Sequence, residues 1–327
     1  MSPGDAKLII GFITYGDITL KYMPYFLESL KKQTFQKFSI FVTDNSFPPD
    51  NKNVNLVKKY FPEAEVLQTG KNLGFSRAYN LMIKKASRYS AKFFLALNPD
   101  IIMEDDAIEV LINAFDDKNL SALSPKLMRW DFKNNIKTNI IDTCGIQLLP
   151  GLRFVDVGQG KTDNKEFYEN KIIGPSGAAA MYRFSDLERM EDLDNYYMGE
   201  GGEYFDELMF MYKEDCDLAY RMNLLGLKAE CVPNSVMYHD RSAHVEGQSV
   251  FKRLLNRRQK SPRVRSWSFL NQRIIFLKYW RLQNWKNKFR IIVSEISMFF
   301  YVLIFESFLL KEYKKLWKIR KQVKVKK

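Results

Sequence analysis

The chain has 327 residues, of which 46% are hydrophobic, and a formal net charge of +13. Those numbers suit one large α/β domain with an appendage. Three cysteines (Cys144, Cys216 and Cys231) are odd in number and lack a CxxC spacing, which sets aside a disulfide framework and fits a reducing cytosol.

The opening Met-Ser-Pro-Gly-Asp-Ala-Lys lacks a basic region followed by an apolar one, so a secretory signal peptide is not expected. Residues 8–14 continue into a buried strand spanning Lys7 to Thr14. Leu20, Met23, Leu27 and Leu30 recur at helical spacing and predict a helix to about Gln33. Phe38 to Thr43 reads as a second strand, Val54 to Tyr60 as a short helix, and Ala64 to Gln68 as a third strand. Asn72-Leu73-Gly74-Phe75 is a turn that opens a helix from Ser76 to about Ser87. Phe93 to Leu97 is an apolar run leading into Asn98-Pro99-Asp100. Pro99 cannot continue a central strand, so the chain leaves the sheet there and delivers Asp100 to its carboxyl edge. Glu104, Asp105 and Asp106 enrich the first turn of the next helix.

Strands alternating with helices over about 120 residues predict a doubly wound, mostly parallel sheet. Ser121 to Leu127 is a further strand. Residues 130–170 read as an irregular insertion with a hairpin, and Ile172 to Tyr182 as a loop and strand. Glu214 to Leu225 is helical with Leu218, Met222 and Leu225 on its core face. It ends at Gly226, and strands follow at Lys228–Val232 and Ser235–Tyr238.

Thr14, Asp44, Asn72 and Asp100 stand at successive strand ends. Each is also a good turn-former or helix cap, but strand ends of a doubly wound sheet share one crevice. Asp44 could accept the imide N–H of a uracil or thymine, and Asn72 could reach the same nucleotide. Arg77 could neutralise phosphate, or simply be a solvated face. Neither a Walker A sequence nor a GxGxxG follows the first strand, so a bound diphosphate needs another counter-charge. Asp100 suits Mg²⁺ or Mn²⁺, which bind through few carboxylates plus substrate phosphates. In the run Glu214-Asp215-Cys216-Asp217, Glu214, Asp217 and Arg221 share a face as a salt-bridged helix start. Asp215 lies about 100° away from Glu214 and could act as a general base. Only two histidines occur, His239 and His244. His239 ends a strand, as a metal ligand, a phosphate contact or a structural residue.

Together, Ile9–Tyr15, Phe41–Ser46, Asn72–Asn80, Leu95–Ile101, Gly174–Arg183 and Phe210–His239 resemble the family 2 glycosyltransferases of GT-A fold, especially the rhamnosyl- and galactofuranosyl-transferase branch. The resemblance covers roughly residues 7–245. It implies that Thr14, Asp44 and Asn72 contact the nucleoside of a UDP- or dTDP-sugar. Asn98-Pro99-Asp100 stands where the family carries its Asp-x-Asp metal motif; Asp100 would hold Mg²⁺ or Mn²⁺ with His239, while Asn98 offers a neutral oxygen where the family has a charge. Ser176 and Gly177 would line the acceptor side. Asp215, beside Glu214, matches the catalytic base of an inverting single displacement onto a hydroxyl of a glycan or lipid-linked acceptor in surface polysaccharide synthesis. Two rival classes are a sugar nucleotidyltransferase, whose phosphate loop is missing after the first strand, and a non-catalytic sugar-nucleotide-binding protein.

Residues 1–240 carry 28 basic and 34 acidic side chains, whereas 241–327 carry 23 and 4. The expected organisation is therefore a catalytic domain over 1–245, with a nucleotide-sugar half to about residue 120 and an acceptor half after it, and a basic tail over 246–327. Arg and Lys interleave with aromatics across 250–290. Residues 291–310 are strongly apolar but interrupted by Glu295 and Glu306, which with Lys288 form one narrow polar line on a helix. Such a tail suits the anionic surface at the inner face of a cell membrane, with packing on the domain or homo-oligomer formation as alternatives. Nucleic acid is disfavoured by the apolar density.

Overall fold

The computed structural model describes residues 7–49, 51–115, 119–190, 203–241 and 260–323; His244, residues 250–259 and 324–327 of the tail lie outside them. Its centre is a nine-stranded sheet in the order β3-β2-β1-β4-β10-β6-β11-β5, with β7 paired to β6. The strands are β1 (Leu8–Thr14), β2 (Phe38–Asp44), β3 (Glu65–Gln68), β4 (Phe93–Leu97), β5 (Ile101–Met103), β6 (Leu120–Asp131), β7 (Ile136–Thr143), β10 (Ala179–Arg183) and β11 (Lys228–His239). The first four in space, β3 to β4, are parallel. β10 then runs antiparallel between β4 and β6, and β11 returns parallel to β6.

Helices cover both faces, which is why the central strands are apolar throughout rather than alternating. On β1, Leu8, Ile10 and Phe12 enter a core beneath α2 (Met23–Lys31), α3 (Lys52–Tyr60) and α5 (Ala107–Ala114). Ile9, facing the other way, joins a core under α4 (Gly74–Ala86), α6 (Phe184–Arg189) and α7 (Glu214–Leu224).

Several local expectations change. The helix predicted to Gln33 is two pieces, α1 (Gly16–Leu20) and α2. The strand ending at the Pro99 turn stops at Leu97, and the chain re-enters the sheet at once as β5, which pairs with β11. The two late strands are one, β11, with a register shift between Val232 and Val236. The 130–170 insertion contains the β6–β7 turn and a separate hairpin of β8 (Ile146–Leu149) and β9 (Arg153–Asp156). Leu225 is 48% exposed, because Gly226 at φ 68° turns the chain away before that residue reaches the core.

Among the described residues the tail forms three α-helices: α8 (Pro262–Tyr279), α9 (Trp285–Phe305) and α10 (Leu310–Ile319). Leu270, Ile274, Ile275 and Tyr279 of α8 form a third core with Cys216, Ala219 and Tyr220 of α7. Among the described residues, no helix is long and apolar enough to cross a membrane.

Candidate active site

The carboxyl ends of β1, β2 and β3 lie in register: Thr14 opposite Asp44, and Asp44 opposite Gln68. Asp44 is buried. Its Oδ1 accepts from Thr14 Oγ1 at 2.8 Å and Ser46 Oγ at 2.7 Å, and its Oδ2 accepts from Gln68 Nε2 at 3.1 Å. An ionised carboxylate offers about four acceptor positions, so Oδ2 retains one for an N–H. Gln68 and Ser46 escaped the sequence reading, although a polar residue closing an apolar strand is the same signal that singled out Thr14 and Asp44.

Asn72 Oδ1 accepts the Gly74 N–H at 2.9 Å and so sets the turn into α4. Arg77 Nε lies 3.1 Å from Glu207 Oε2, so its guanidinium is already engaged by a carboxylate of the 203–213 segment.

At the turn after β4, Asn98 N–H donates to the Ala178 carbonyl at 2.8 Å. Asp100 Oδ1 is buried and makes no hydrogen bond, yet lies 3.4 Å from His239 Nε2. The other ring nitrogen, Nδ1, lies 2.8 Å from Asp142 Oδ2. Arg241 joins Asp142 to Asp156 through contacts of 3.0 and 2.9 Å. Asp240 N–H donates to the Asp100 carbonyl at 3.0 Å, and Tyr22 O–H donates to Asp240 Oδ2 at 2.5 Å. Burial alone would lower the His239 pKa, but Asp100 and Asp142 on its two sides push it up to about 10. Burial likewise works against the Asp142 charge, yet Arg241 and His239 hold that carboxyl below its usual range. Asp142 was missed because it lies in a stretch read as irregular; an acid within Ile140-Ile141-Asp142-Thr143 was the available hint.

The Asp100–His239 pair bears on a divalent cation. Among the described residues, no three His, Cys, Asp or Glu side chains converge as a metal site. A buried carboxylate oxygen without a partner, facing an imidazole nitrogen whose ring is fixed from behind, nevertheless supplies two donors once an arriving cation displaces the Nε2 proton. Mg²⁺ and Mn²⁺ complete such a set with phosphate oxygens and water, so the residues fit.

Asp215 stands in the first turn of α7. Its Oδ2 accepts the Gly177 N–H at 3.0 Å and its Oδ1 accepts the Cys216 N–H at 2.8 Å. A Cβ on Gly177 would lie 3.3 Å from Asp215 Cβ, so the small residue permits the approach. Ser176 is buried beside it, its carbonyl accepting from Ala179 N–H. One residue on, Ala178 carries the carbonyl that holds Asn98. The start of β10 therefore ties the Asp215 carboxylate to the turn bearing Asp100.

Glu214 differs from its neighbour. It is 5% exposed, and Oε2 has no hydrogen-bond partner. Burial first, then the Asp215 charge, raises its pKa well above the ordinary carboxylate range. It also stays out of the predicted ion pair: Asp217 and Arg221 alone form that contact, at 3.1 Å.

The acid pair is aimed by the segment before it. Tyr212 and Lys213 both adopt left-handed backbone, at φ 72° and 75°, which costs about 1–3 kcal/mol each away from glycine. Three anchors hold them there. Phe75 N–H donates to the Phe210 carbonyl at 2.8 Å, Ser76 O–H donates to that of Met209 at 2.6 Å, and Asn271 Nδ2 of α8 donates to those of Met211 and Tyr212 at 2.9 and 2.6 Å. Burial, then the Glu214 charge, pushes the Tyr212 hydroxyl pKa up.

The glycosyl transferase family 2 sequence model matches residues 10–190, more than half of the chain. The rhamnosyltransferase WbbL of Escherichia coli K12 is 24% identical over 251 residues, which cover 73% of this chain and 86% of that protein. The N-acetylglucosaminyl-diphospho-decaprenol L-rhamnosyltransferase of Mycobacterium tuberculosis is also 24% identical over 251 residues, with 69% and 74% covered. Among solved structures, GalNAc-T7 with UDP, GalNAc and Mn²⁺ superposes with a TM-score of 0.60 at 14% identity. The match covers 94% of this chain but only 54% of that one, and it speaks to the fold alone. A parallel half-sheet with polar strand ends and an acid after a proline turn thus coincide with a sequence match running from β1 through α6: the chain belongs to glycosyl transferase family 2.

Proposed function

We propose that this glycosyltransferase moves a sugar from a UDP- or dTDP-sugar to a hydroxyl of a glycan or lipid-linked acceptor in surface polysaccharide synthesis, with inversion at the anomeric carbon. The observation that carries the reading is the meeting of two functions at one sheet edge. Asp100 and His239 form a donor pair, and Asp215 is fixed by Gly177 one strand end away. Asp44, with Thr14, Ser46 and Gln68 saturating part of its carboxylate, presents an acceptor suited to the imide of a uracil or thymine. Asp215 is partly exposed and takes the acceptor proton as that oxygen attacks from the face opposite the diphosphate. A single base suffices for one displacement, unlike the paired carboxyls of a hydrolase. Asp100 and His239 would hold Mg²⁺ or Mn²⁺, which when bound supplies positive charge to the leaving diphosphate. The named relatives, two rhamnosyltransferases, favour a deoxyhexose donor and, in one case, a polyprenyl-linked acceptor. Three free thiols, Cys144, Cys216 and Cys231, agree with work at the cytoplasmic side.

A panel of UDP- and dTDP-sugars tested by thermal shift, with and without Mn²⁺, should yield one donor whose stabilisation grows with the metal. That donor should then be consumed with inversion when an acceptor glycan is added. No stabilisation by any nucleotide sugar, or a retained anomeric configuration, overturns the reading.

A further inference from the structure

α9 is amphipathic in an unusual sense, because its polar line faces inward. Glu295 pairs with Arg273 of α8 at 2.9 Å, and Glu306, 1% exposed, pairs with Arg265 at 2.7 Å. Ile291 and Val302 are buried beside them. The opposite arc is apolar and open: Phe289 at 63% exposure, Ile296 at 53%, Phe300 at 58% and Ile304 at 70%. At 100° per residue these fall within one stripe, which Val293 and Leu303 widen. Of the 21 exposed large hydrophobic side chains among the described residues, 13 lie between Leu282 and Trp317. Scattered apolar residues need no explanation, but a contiguous stripe of this kind marks an interaction surface.

Charge decides what covers it. Exposed cations flank both ends of the stripe: Arg281, Lys286 and Arg290 at one, and Lys311, Lys314, Lys315 and Lys318 at the other. Between residues 281 and 323 no acidic side chain is exposed: Glu295 is half-buried in its ion pair, while Glu306 and Glu312 are buried. A cleft between α8 and α10 adds Arg263, Lys311 and Lys315 around Trp267, against the single carboxylate of Glu312. A second copy of the chain would bring these cations against one another. A nucleic acid would leave the apolar stripe uncovered. An anionic lipid surface satisfies both halves, with acyl boundary for the stripe and phosphates for the flanking cations.

We infer that α9 and α10 form the face by which this enzyme lies on an anionic bilayer, α9 in the plane of the interface with its stripe at the acyl boundary and its acidic line turned to the protein. The orientation is set before any lipid arrives, since α8 and its two arginines already hold the acidic side. The inference goes beyond the sugar-transfer reading and does not depend on which donor is used.

The test uses the full chain with vesicles of phosphatidylcholine alone or with about a third phosphatidylglycerol. The protein should float with the anionic vesicles only, and added salt should release it. Ile296→Glu with Phe300→Glu should lower the partition coefficient ~10-fold or more, and Lys314→Glu with Lys315→Glu and Lys318→Glu should do the same. All five positions are exposed, so donor binding should be unchanged in both variants. As a readout on the native sequence, brominated acyl chains should quench tryptophan emission, and Trp285→Phe should remove part of that quenching. Absent flotation, or flotation indifferent to both variants, overturns the inference. So does a soluble dimer that Phe300→Glu dissociates, which would give the face to a second copy.

Discussion

Adjacent acids can meet different surroundings, and Glu214 and Asp215 are an instance. Glu214 is buried beside Asp215 without a hydrogen bond for Oε2, and burial, then the Asp215 charge, pushes its pKa well above the usual carboxylate range. Asp215, one residue on, receives two backbone N–H groups, from Gly177 and from Cys216. Asp215→Asn should therefore reduce transfer by about 10²–10⁴-fold while nucleotide-sugar affinity, measured by calorimetry, stays within twofold or so. Glu214→Gln keeps the shape of this buried side chain and removes its ionisable carboxyl, and should leave turnover within a few-fold. A severe loss in Glu214→Gln, with Asp215→Asn active, would exchange their roles. Asp142 acts one step further back, through the His239 ring. Asp142→Asn should weaken Mn²⁺-dependent binding of UDP by about 10–100-fold and leave metal-free binding of UDP unaltered.

At the scale of elements, the pair is aimed by a clamp: α4 grips Met209 and Phe210 from one side, and α8 grips Met211 and Tyr212 from the other. Gly74 makes the first grip possible. Its φ is 75°, and a Cβ there would lie 2.3 Å from the Phe210 carbonyl oxygen. Gly74→Ala should thus cost about 1–3 kcal/mol from the backbone alone, with the clash added, read as a fall in the urea midpoint. Asn271→Ala should release the second grip and lower kcat about 10–100-fold with little change in the donor KM. This clamp also shows what could be read from the residues alone. The parallel half-sheet was legible, since β1, β2 and β4 are short, largely apolar runs with a polar residue at or just after the end of each. The combined motifs singled out Asp100, Asp215 and His239, and the structure brings Asp100 and His239 within 3.4 Å of each other. Asn271 and Asp142 were not, because their partners lie 59 or more positions away and no local pattern encodes such pairs. The direction of α9 was hidden for a related reason: its periodicity fixes two faces, but only Arg265 and Arg273 on another helix decide which one turns inward.

For the whole molecule, the decisive contact is Lys278. This α8 lysine is 1% exposed and lies 2.9 Å from Asp206 and 3.0 Å from Asp217, while Tyr279 donates to Asp217 at 2.7 Å. Burial opposes each charge, yet Lys278 and Arg221 draw the Asp217 pKa below its usual range, and Asp217 holds that of Lys278 well above its own. The sign of each contribution follows. The Asp217 share is present above the unfolded carboxyl pKa and disappears as pH falls through the lower folded value. The Lys278 share is present below the unfolded amine pKa and disappears as pH rises through the higher folded one. Neither changes near neutrality. Glu203 does: burial, with Asp206 and Glu207 adding, raises it from 4.5 to about 7, so the folded state binds the extra proton and stability should fall as pH rises between those values. Urea midpoints at either end of that window should differ in the native protein and converge in Glu203→Gln. Lys278→Met should cost about 3–5 kcal/mol, as removal of one partner from a buried ionic group does.

That lysine also governs how the enzyme can be dissected. A protein shortened to end near residue 245 would lose Lys278, leaving Asp206 without that cation and Asp217 of α7 with Arg221 but not the lysine, and would lose the α8 side chains that pack on Cys216, Ala219 and Tyr220. Its failure to transfer sugar would report the loss of that packing on α7, and its failure to reach a membrane would say nothing about lipid. Substitutions on the outer stripe of the intact chain are the cuts that leave the foundation standing.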